Sequence, residues 1–261
     1  MHDILDLKHF PLDRPGTPAW QDLVDRCRAD LETSGMFNLD AFLHPAIAAA
    51  EVASLLPRFD TDAFRHEREH NIYFLNSIDG LPADHPALQR FKTSNQTLCA
   101  DQVPGPLTRL YDWPEFATFL AATMQMPALY PMDDPLARIN VMSYHAGQTL
   151  NWHFDRSEFT TTLLLQAADI GGEFEYRTGL RGEGDPNYDG VARMLNGDDD
   201  QVQRLVLSPG TLNVFKGKNT AHRVTPVDGT KDRVIAVFSF YDRPGVTFSS
   251  DERIGFYGRA S

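Results

Sequence analysis

The chain has 261 residues, of which 42% are hydrophobic, and it carries a formal net charge of −12 at pH 7. This length and apolar content suit one domain with a substantial core. The acidic balance speaks against a nucleic-acid-binding surface, which needs a basic stripe. It does not exclude a small anionic ligand, because a local arginine can bind an anion inside an acidic protein.

The cysteines and the N-terminus bear on where the protein acts. Cys27 and Cys99 lie far apart without metal-type spacing, so a disulfide framework is not expected and a reducing cytoplasm fits better. Residues 1–6 carry acids where a signal peptide would be basic and then apolar. No apolar run approaches transmembrane length. We therefore expect a cytoplasmic protein with no membrane or nucleic-acid partner.

The N-terminal part, residues 1–135, is predicted to be mostly helical after an irregular arm. Thr17 and Pro18 favour the start of the first helix, Gly35 stops it, and Pro57 is expected to end the second. The stretch between the third and fourth helices reads mostly as loops over 79–106, because it is rich in Pro, Asp and Asn. Helices are predicted over about 18–34, 45–56, 59–70 and 114–124.

Residues 66–70 match H-E-x-x-H, in which two histidines one helical turn apart bind zinc and the glutamate acts as a base. The expected helix is surrounded by charged residues, and the next stretch, 71–75, reads as a strand. A solvated helix end is therefore the preferred interpretation, and a zinc peptidase is the alternative that metal analysis would separate.

Short strands with turn signals between them dominate the second half of the chain. This pattern predicts a mainly β protein with N-terminal helices, whose core is a double-stranded β-helix of the jelly-roll, cupin-like type. We expect one domain over 1–261, with the β core at 136–245, a Gly- and Asp-rich insertion at 178–200 and a C-terminal segment at 246–261. The predicted strands cover about 138–144, 150–155, 160–166, 172–176, 203–207, 211–215, 221–226 and 233–241.

His153 and Asp155 stand two positions apart in one predicted strand. Side chains at i and i+2 of a strand point the same way, so an imidazole and a carboxylate would project together. A second histidine, for which the later strand offers His222, would complete a two-His-one-carboxylate set that suits non-haem Fe(II). Arg233 on the next strand could bind a carboxylate through its planar fork of donors.

This combination resembles the Fe(II)/2-oxoglutarate-dependent dioxygenase superfamily. The similarity is closest to a subgroup that contains the halogenases of free, lysine-like amino acids and their hydroxylating relatives. The resemblance covers about half the chain. The stretches that carry it are Tyr144, Gly147, His153–Asp155, Gly171–Tyr176, His222–Val227, Arg233 and Phe256–Arg259.

The resemblance implies that His153, Asp155 and His222 bind Fe(II) and that Arg233, helped by Tyr144, binds 2-oxoglutarate, with O2 as the second cosubstrate. The halogenases have glycine where this chain has Asp155, which leaves room for chloride. The retained carboxylate therefore predicts a hydroxylase of a small polar substrate, most simply a free amino acid. Desaturation, cyclisation or epimerisation by the same machinery and a non-catalytic cupin-like binding module remain the alternatives.

The residues that contact the substrate are harder to identify from the sequence. Arg156 and Ser157 follow the metal motif and could meet a carboxylate or an amine, and Tyr257 could close the pocket together with Phe256. Arg223 is discounted as an anion ligand because it alternates to the face opposite His222, and His145 is expected to be structural. Arg65, Arg90 and Asn95 are further candidates from the N-terminal part.

Overall fold

The computed structural model describes residues 1–261 as a β core with helices packed on one side. The helices are α1 (Pro18–Ser34), α2 (Pro45–Phe59), α3 (Pro106–Tyr111), α4 (Pro114–Thr123), α5 (Tyr188–Leu195) and α6 (Ser250–Tyr257). The first eight strands are β1 (Met36–Leu39), β2 (Phe64–His70), β3 (Phe91–Cys99), β4 (Tyr130–Pro131), β5 (Ile139–Tyr144), β6 (Leu150–His153), β7 (Thr160–Gln166) and β8 (Phe174–Arg177). The others are β9 (Gln203–Leu205), β10 (Leu212–Phe215), β11 (Ala221–Val224), β12 (Arg233–Phe238) and β13 (Phe240–Tyr241).

Two antiparallel sheets form the core. The larger has seven strands in the order β1-β10-β7-β12-β5-β3-β2, and the smaller has four in the order β6-β11-β8-β9. Strands β13 and β4 form a separate short pair. Many crossovers between non-consecutive strands are typical of a jelly roll. The prediction of a mainly β jelly-roll core with N-terminal helices is confirmed.

The side chains of β12 point alternately into the hydrophobic core and into a cavity. Val234, Ala236 and Phe238 belong to the main hydrophobic core, which also takes in apolar side chains of α1, α2 and α4. Arg233 and Ile235 point to the other face and line a cavity shared with the smaller sheet. Because successive side chains of a strand point to opposite faces, one sheet both packs against the helices and presents functional groups.

Helices α1 and α2 begin at the residues predicted from the sequence. Helix α1 runs from Pro18 to Ser34, and Gly35 takes the left-handed conformation with φ of 73°. The prediction that Pro57 ends the second helix is wrong, because α2 continues to Phe59. Proline lacks the N–H that an α-helix uses, but the extra turn buries Phe59 almost completely.

The prediction for residues 59–70 is also wrong, because Phe64–His70 form β2 and pair with β3 in full register. The stretch 71–75, predicted as a strand, is a turn organised by Asn71, whose side-chain amide oxygen accepts hydrogen bonds from the backbone N–H groups of Tyr73 and Leu75. Strand β3 lies within the predicted loop region 79–106. The N-terminal part is thus less helical than expected, and the main sheet extends outside 136–245.

The insertion 178–200 contains a short amphipathic helix, α5, whose N-terminus is capped by the Asn187 side chain. Val191 and Met194 of this helix pack in a small cluster with Trp152 and Phe154 of the metal motif. The insertion therefore supports the outer side of the strand that carries the motif. None of the six helices has the combination of length and hydrophobicity needed to cross a bilayer.

Candidate functional site

One group of side chains is arranged as a metal site. The ligand atoms of His153, Asp155 and His222 all lie within 4.8 Å of one another. His153 Nε2 is 3.4 Å from Asp155 Oδ1, and His222 Nε2 is 3.5 Å from Asp155 Oδ2. Neighbouring ligands around an octahedral ion with bonds of about 2.1 Å are about 3 Å apart. The separations therefore suit three ligands on one face of a single ion, with the other face open.

Strand pairing brings the two histidines together. His153 at the end of β6 is the direct partner of His222 on β11, and their ring centroids are 4.1 Å apart. Strand β6 ends at His153, so the explanation of the carboxylate position by alternation within one strand is wrong. Asp155 is instead positioned by contacts outside the strand: its N–H donates to the Gly217 carbonyl over 3.1 Å, and the Thr160 hydroxyl donates to its carboxylate.

Each histidine has its Nδ1 occupied by a backbone carbonyl. His153 Nδ1 lies 2.8 Å from the Asn151 oxygen, and His222 Nδ1 lies 3.0 Å from the Thr220 oxygen. A carbonyl can only accept, so Nδ1 carries the proton in both rings and Nε2 presents its lone pair. Such contacts orient the imidazole ligands of metal sites.

The protonation states also suit a metal. Burial and the nearby His153 lower the pKa of His222 to about 4, so its ring is neutral at neutral pH. Burial by itself would raise the pKa of the Asp155 carboxyl, but the two imidazoles and the Thr160 hydroxyl outweigh it and hold that pKa below its usual range. Metal ligands must be deprotonated to bind. Two imidazoles and one carboxylate are the donor set that suits Fe(II).

A buried cation without a partner lies across the same cavity. Arg233 is 4% exposed, it takes part in none of the ion pairs, and its Nε has no hydrogen-bond partner. Burial lowers its pKa to about 10, so it remains charged at neutral pH. Tyr144 lies directly opposite Arg233 in the neighbouring strand β5. A buried charge is costly unless it is paired, so this corner of the cavity fits an anionic ligand such as a carboxylate.

The cavity between the two sheets has a volume of about 590 Å³. The predicted residues Arg156 and Tyr257 line it, as do Phe256, Arg90 and Asn95. Arg156 is 81% exposed at the mouth, where it lies 3.7 Å from Glu252 of α6. Tyr257 is buried and donates a hydrogen bond of 2.9 Å to the Asn140 side chain.

Other predicted residues lie away from the cavity. Ser157 and Arg65 are exposed and do not belong to its lining. Arg223, discounted from the sequence, bonds Glu175 over 2.7 Å and lies over the Trp152 ring. His145 is held by Asp232 at 2.6 Å and by Gln96, as suits a structural residue.

Sequence reasoning missed several lining residues. Arg68 and Phe74 lie on and after a strand that was interpreted as a helix, so nothing indicated which side chains faced inward. Thr160 was recognised only as the start of a strand, and its bond to Asp155 could not be inferred from spacing. The signal that could have found Arg68 is the alternation of residues 64–70 read with a period of two.

The comparisons with known proteins agree with this geometry. Residues 87–249 match the family described as HalD, Halogenase D. The fold is similar to the epimerase SnoN in complex with Fe3+, alpha ketoglutarate and nogalamycin RO (14% identity, 85% of this chain and 84% of that chain covered, TM-score 0.57). It is also similar to a 2OG-Fe(II) oxygenase family protein from Burkholderia pseudomallei (14% identity, 85% of this chain and 92% of that chain covered, TM-score 0.51). A third similar structure is a prolyl-4-hydroxylase from Pseudomonas putida (14% identity, 84% of this chain and 99% of that chain covered, TM-score 0.52). No curated protein matches the sequence.

Proposed function

Since this chain belongs to the Halogenase D family, we propose that it is an Fe(II)/2-oxoglutarate-dependent oxygenase that hydroxylates an unactivated C–H bond of a small polar substrate, a free amino acid. The substrate, 2-oxoglutarate and O2 would give the hydroxylated product, succinate and CO2. The observation that carries the proposal is the joint presence of the His153–Asp155–His222 cluster and the unpaired Arg233 in one cavity. The solved neighbours with this fold include a protein named as a 2OG-Fe(II) oxygenase family member and an epimerase in complex with Fe3+ and alpha ketoglutarate.

Each group has a distinct task in this reaction. Bound Fe(II), with 2-oxoglutarate and O2, would supply the oxidising power that breaks the C–H bond. His153 and His222 hold the metal through Nε2, and Asp155 adds a negative charge that the Thr160 hydroxyl orients. Arg233 and Tyr144 bind the carboxylate of 2-oxoglutarate that is remote from the metal. The two sheets exclude water from the reacting carbon.

Asp155 supports oxygen transfer over halogenation. A carboxylate on the metal occupies the position that a halide would need, and its negative charge opposes a second anion. The fold alone does not decide the outcome, because similar folds include an epimerase and a hydroxylase. We therefore base the assignment of hydroxylation on Asp155.

The proposal is tested by substrate-stimulated succinate release. The purified protein, loaded with Fe(II) under anaerobic conditions, is given 2-oxoglutarate and O2 with each of the twenty amino acids in turn. We expect slow succinate release without substrate, faster release with at least one amino acid, and a product 16 mass units heavier, the mass of one oxygen atom. Failure to release succinate under any of these conditions would indicate the cupin-like binding module.

The reaction is proposed to take place in the cytoplasm. Cys27 and Cys99 are both free and buried, as is usual in a reducing compartment. Fe(II) is also maintained more readily under such conditions than outside the cell.

A further inference from the structure

The edge strand β2 presents three basic side chains to the cavity. His66, Arg68 and His70 alternate inward along the strand and line the cavity. They belong to the segment that resembles a zinc motif, but residues four apart in a strand are separated by about 13 Å, so the two histidines cannot share an ion. The row has to be explained by something other than metal binding.

Two members of this row have a buried nitrogen without a hydrogen-bond partner, His66 and Arg68, and only the arginine of the two is charged at every accessible pH. Arg68 is half-buried, takes part in none of the ion pairs, and its Nε is buried without a hydrogen-bond partner. Its guanidinium carbon lies 4.8 Å from the centroid of the Phe74 ring, and that centroid is 6.2 Å from the centroid of the His153 ring. An arginine with unused donors therefore lies against an aromatic ring that also neighbours the metal ligand His153.

Phe74 is held in an unusual conformation to make this contact. Its φ is 58°, in the left-handed region that a bulky residue rarely adopts, and the ring remains 42% exposed. The Asn71 turn fixes the backbone on either side, and the His70 ring stacks on Phe74 with centroids 4.4 Å apart. Strain of this kind persists where the surrounding structure requires it, often at ligand sites. The ring is an apolar surface of the cavity that neighbours both Arg68 and His153.

Arg68 and Arg233 stand on different strands and at different depths of the cavity, since Arg233 is buried and Arg68 is half-buried. Strands β12 and β2 are separated by β5 and β3 in the sheet, which places their axes about 14 Å apart at the usual strand spacing. Arg233 is paired with Tyr144 in the interior, whereas Arg68 lies with Phe74 towards the mouth. If Arg233 binds 2-oxoglutarate, Arg68 is left for the substrate.

The charges of the cavity restrict that substrate. The protein as a whole is acidic, with a net charge of −12, but the lining is basic. Its only carboxylates are Asp155, which is a metal ligand, and Glu69, which alternates to the exposed face of β2. No carboxylate is therefore available to bind an ammonium group inside the cavity. The lining arginines are Arg68, Arg90, Arg156 and Arg233.

We propose that Arg68 binds the carboxylate of the substrate, that Phe74 guides its apolar chain to the metal, and that the cavity selects amino acids with a neutral or acidic side chain over lysine-like ones. The proposal rests on the proposed function. The planar guanidinium matches a carboxylate with two parallel hydrogen bonds. An α-ammonium next to that carboxylate would stay at the hydrated mouth, whereas a side-chain ammonium would have to enter among the cations.

The test compares four compounds of similar length by calorimetry, with Fe(II) and 2-oxoglutarate bound and O2 absent. L-norleucine and L-2-aminoadipate are expected to bind, L-lysine to bind at least about tenfold more weakly, and norleucine amide, which lacks the carboxylate, to show the same loss. Because the readout is binding, it is informative even if the oxygenase reaction is assigned wrongly. Tighter binding of L-lysine than of L-norleucine, or no binding by any of the four compounds, would overturn the proposal.

Variants of two arginines on the same strand complete the test. Arg68→Gln should weaken L-norleucine binding by about tenfold to a hundredfold and leave 2-oxoglutarate binding unchanged. Arg65→Gln, on the exposed face of β2, is the matched control and should behave as the wild type. Phe74→Ala should lower the ratio of hydroxylated product to succinate, because the chain is less well guided. Equal L-norleucine affinity in Arg68→Gln and Arg65→Gln would refute the role of Arg68.

Discussion

Arg233 and Tyr144 are direct cross-strand partners in the antiparallel pair β12–β5, and both side chains reach the cavity without a strong polar partner. The Tyr144 hydroxyl has only the Met142 sulfur, at 3.9 Å, as a neighbour of polar character, and Arg233 Nε has none. Directly opposed residues of antiparallel strands have their Cβ atoms about 5 Å apart. This arrangement is the basis of our proposal that the pair binds one carboxylate group of 2-oxoglutarate.

We expect Arg233→Lys to raise the KM for 2-oxoglutarate by about tenfold to a hundredfold, because lysine keeps the charge but loses the paired hydrogen bonds of the fork. Fe(II) affinity should stay nearly intact. Succinate release at varied 2-oxoglutarate concentrations gives the KM, and anaerobic Fe(II) titration gives the affinity. Arg223→Lys, on the other side of β11, is the control and should leave the KM unchanged; an unchanged KM in Arg233→Lys would assign the carboxylate site elsewhere.

His222→Ala should abolish Fe(II) binding and turnover, since it removes one of three protein ligands from the site. Metal analysis after anaerobic reconstitution with Fe(II) is the measurement. His66→Ala should leave the metal content as in the wild type, because His66 and His70 are too far apart along β2 to bind the same ion. A metal content that falls in His66→Ala and not in His222→Ala would revive the zinc alternative.

The cluster of His153, Asp155 and His222 could be predicted because it depends on residue types at recognisable spacing, whereas the assignment of Arg233 to 2-oxoglutarate stays a prediction. His153 and His222 are brought together by strand pairing, which the sequence indicates through two strands that each carry a histidine. The reason for the position of Asp155 could not be predicted. It depends on a backbone bond to Gly217 and on the Thr160 hydroxyl, which are contacts between segments distant in sequence.

The wrong prediction of a helix over residues 59–70, where the structure has strand β2, has a different physical cause. Residues 64–70 include arginines and glutamates, which are good helix formers, and little apolar periodicity marks the segment as a strand. It is a strand because pairing with β3 satisfies its backbone, with one face towards the cavity and the other towards solvent. Tertiary context therefore overrides local propensity, and the cavity-lining residues Arg68 and Phe74 were missed with it.

Asp134→Asn should destabilise the protein by about 2–3 kcal/mol, since charged hydrogen bonds are lost. The Asp134 carboxylate is fully buried and accepts from the N–H groups of Leu136, Ala137 and Phe248 and from the Arg253 guanidinium of α6. Chemical denaturation at pH 7 measures the loss. The same substitution should make α6, which carries Tyr257, easier to detach from the cavity.

The pH dependence of this effect follows from the sign of the pKa shift. Burial would raise the pKa of Asp134, but the hydrogen bonds outweigh it and lower that pKa below its ordinary 3.8. A group whose pKa is lowered on folding stabilises the protein above the unfolded value and loses that contribution as pH falls through the folded value. The wild type and Asp134→Asn should therefore converge in stability below pH 3.8. A difference that stays constant over this range would contradict the assignment.

Gly217→Ala should weaken Fe(II) binding by about tenfold to a hundredfold, the usual effect of disturbing residues that orient metal ligands. A Cβ at this position would collide with the Asp155 carboxylate and the Thr160 hydroxyl, so Asp155 would have to move. Gly182→Ala is the matched control, because a Cβ there meets no atom within 4 Å and the backbone is not left-handed. Equal Fe(II) affinity in the two variants would show that Asp155 tolerates displacement.

The outcome of the reaction depends on Asp155 and can be tested by replacing it. The wild-type protein should transfer oxygen and not chlorine, even in high chloride, because the carboxylate fills the position that a halide needs and repels a second anion. Mass spectrometry of the product, with chloride present and then absent, is the measurement. Chlorinated product from the wild type would overturn the role assigned to Asp155.

Asp155→Gly opens that position, and we expect it to form at most a small amount of chlorinated product. The Thr160 hydroxyl and the Gly217 carbonyl, which hold the carboxylate and its backbone in the wild type, would remain. The hydroxyl could donate to chloride, but the carbonyl oxygen cannot. Since such surrounding groups tune metal sites by about 10–100-fold, chloride should bind weakly. An Asp155→Gly variant that chlorinates as fast as the wild type hydroxylates would show that the open position alone decides the outcome.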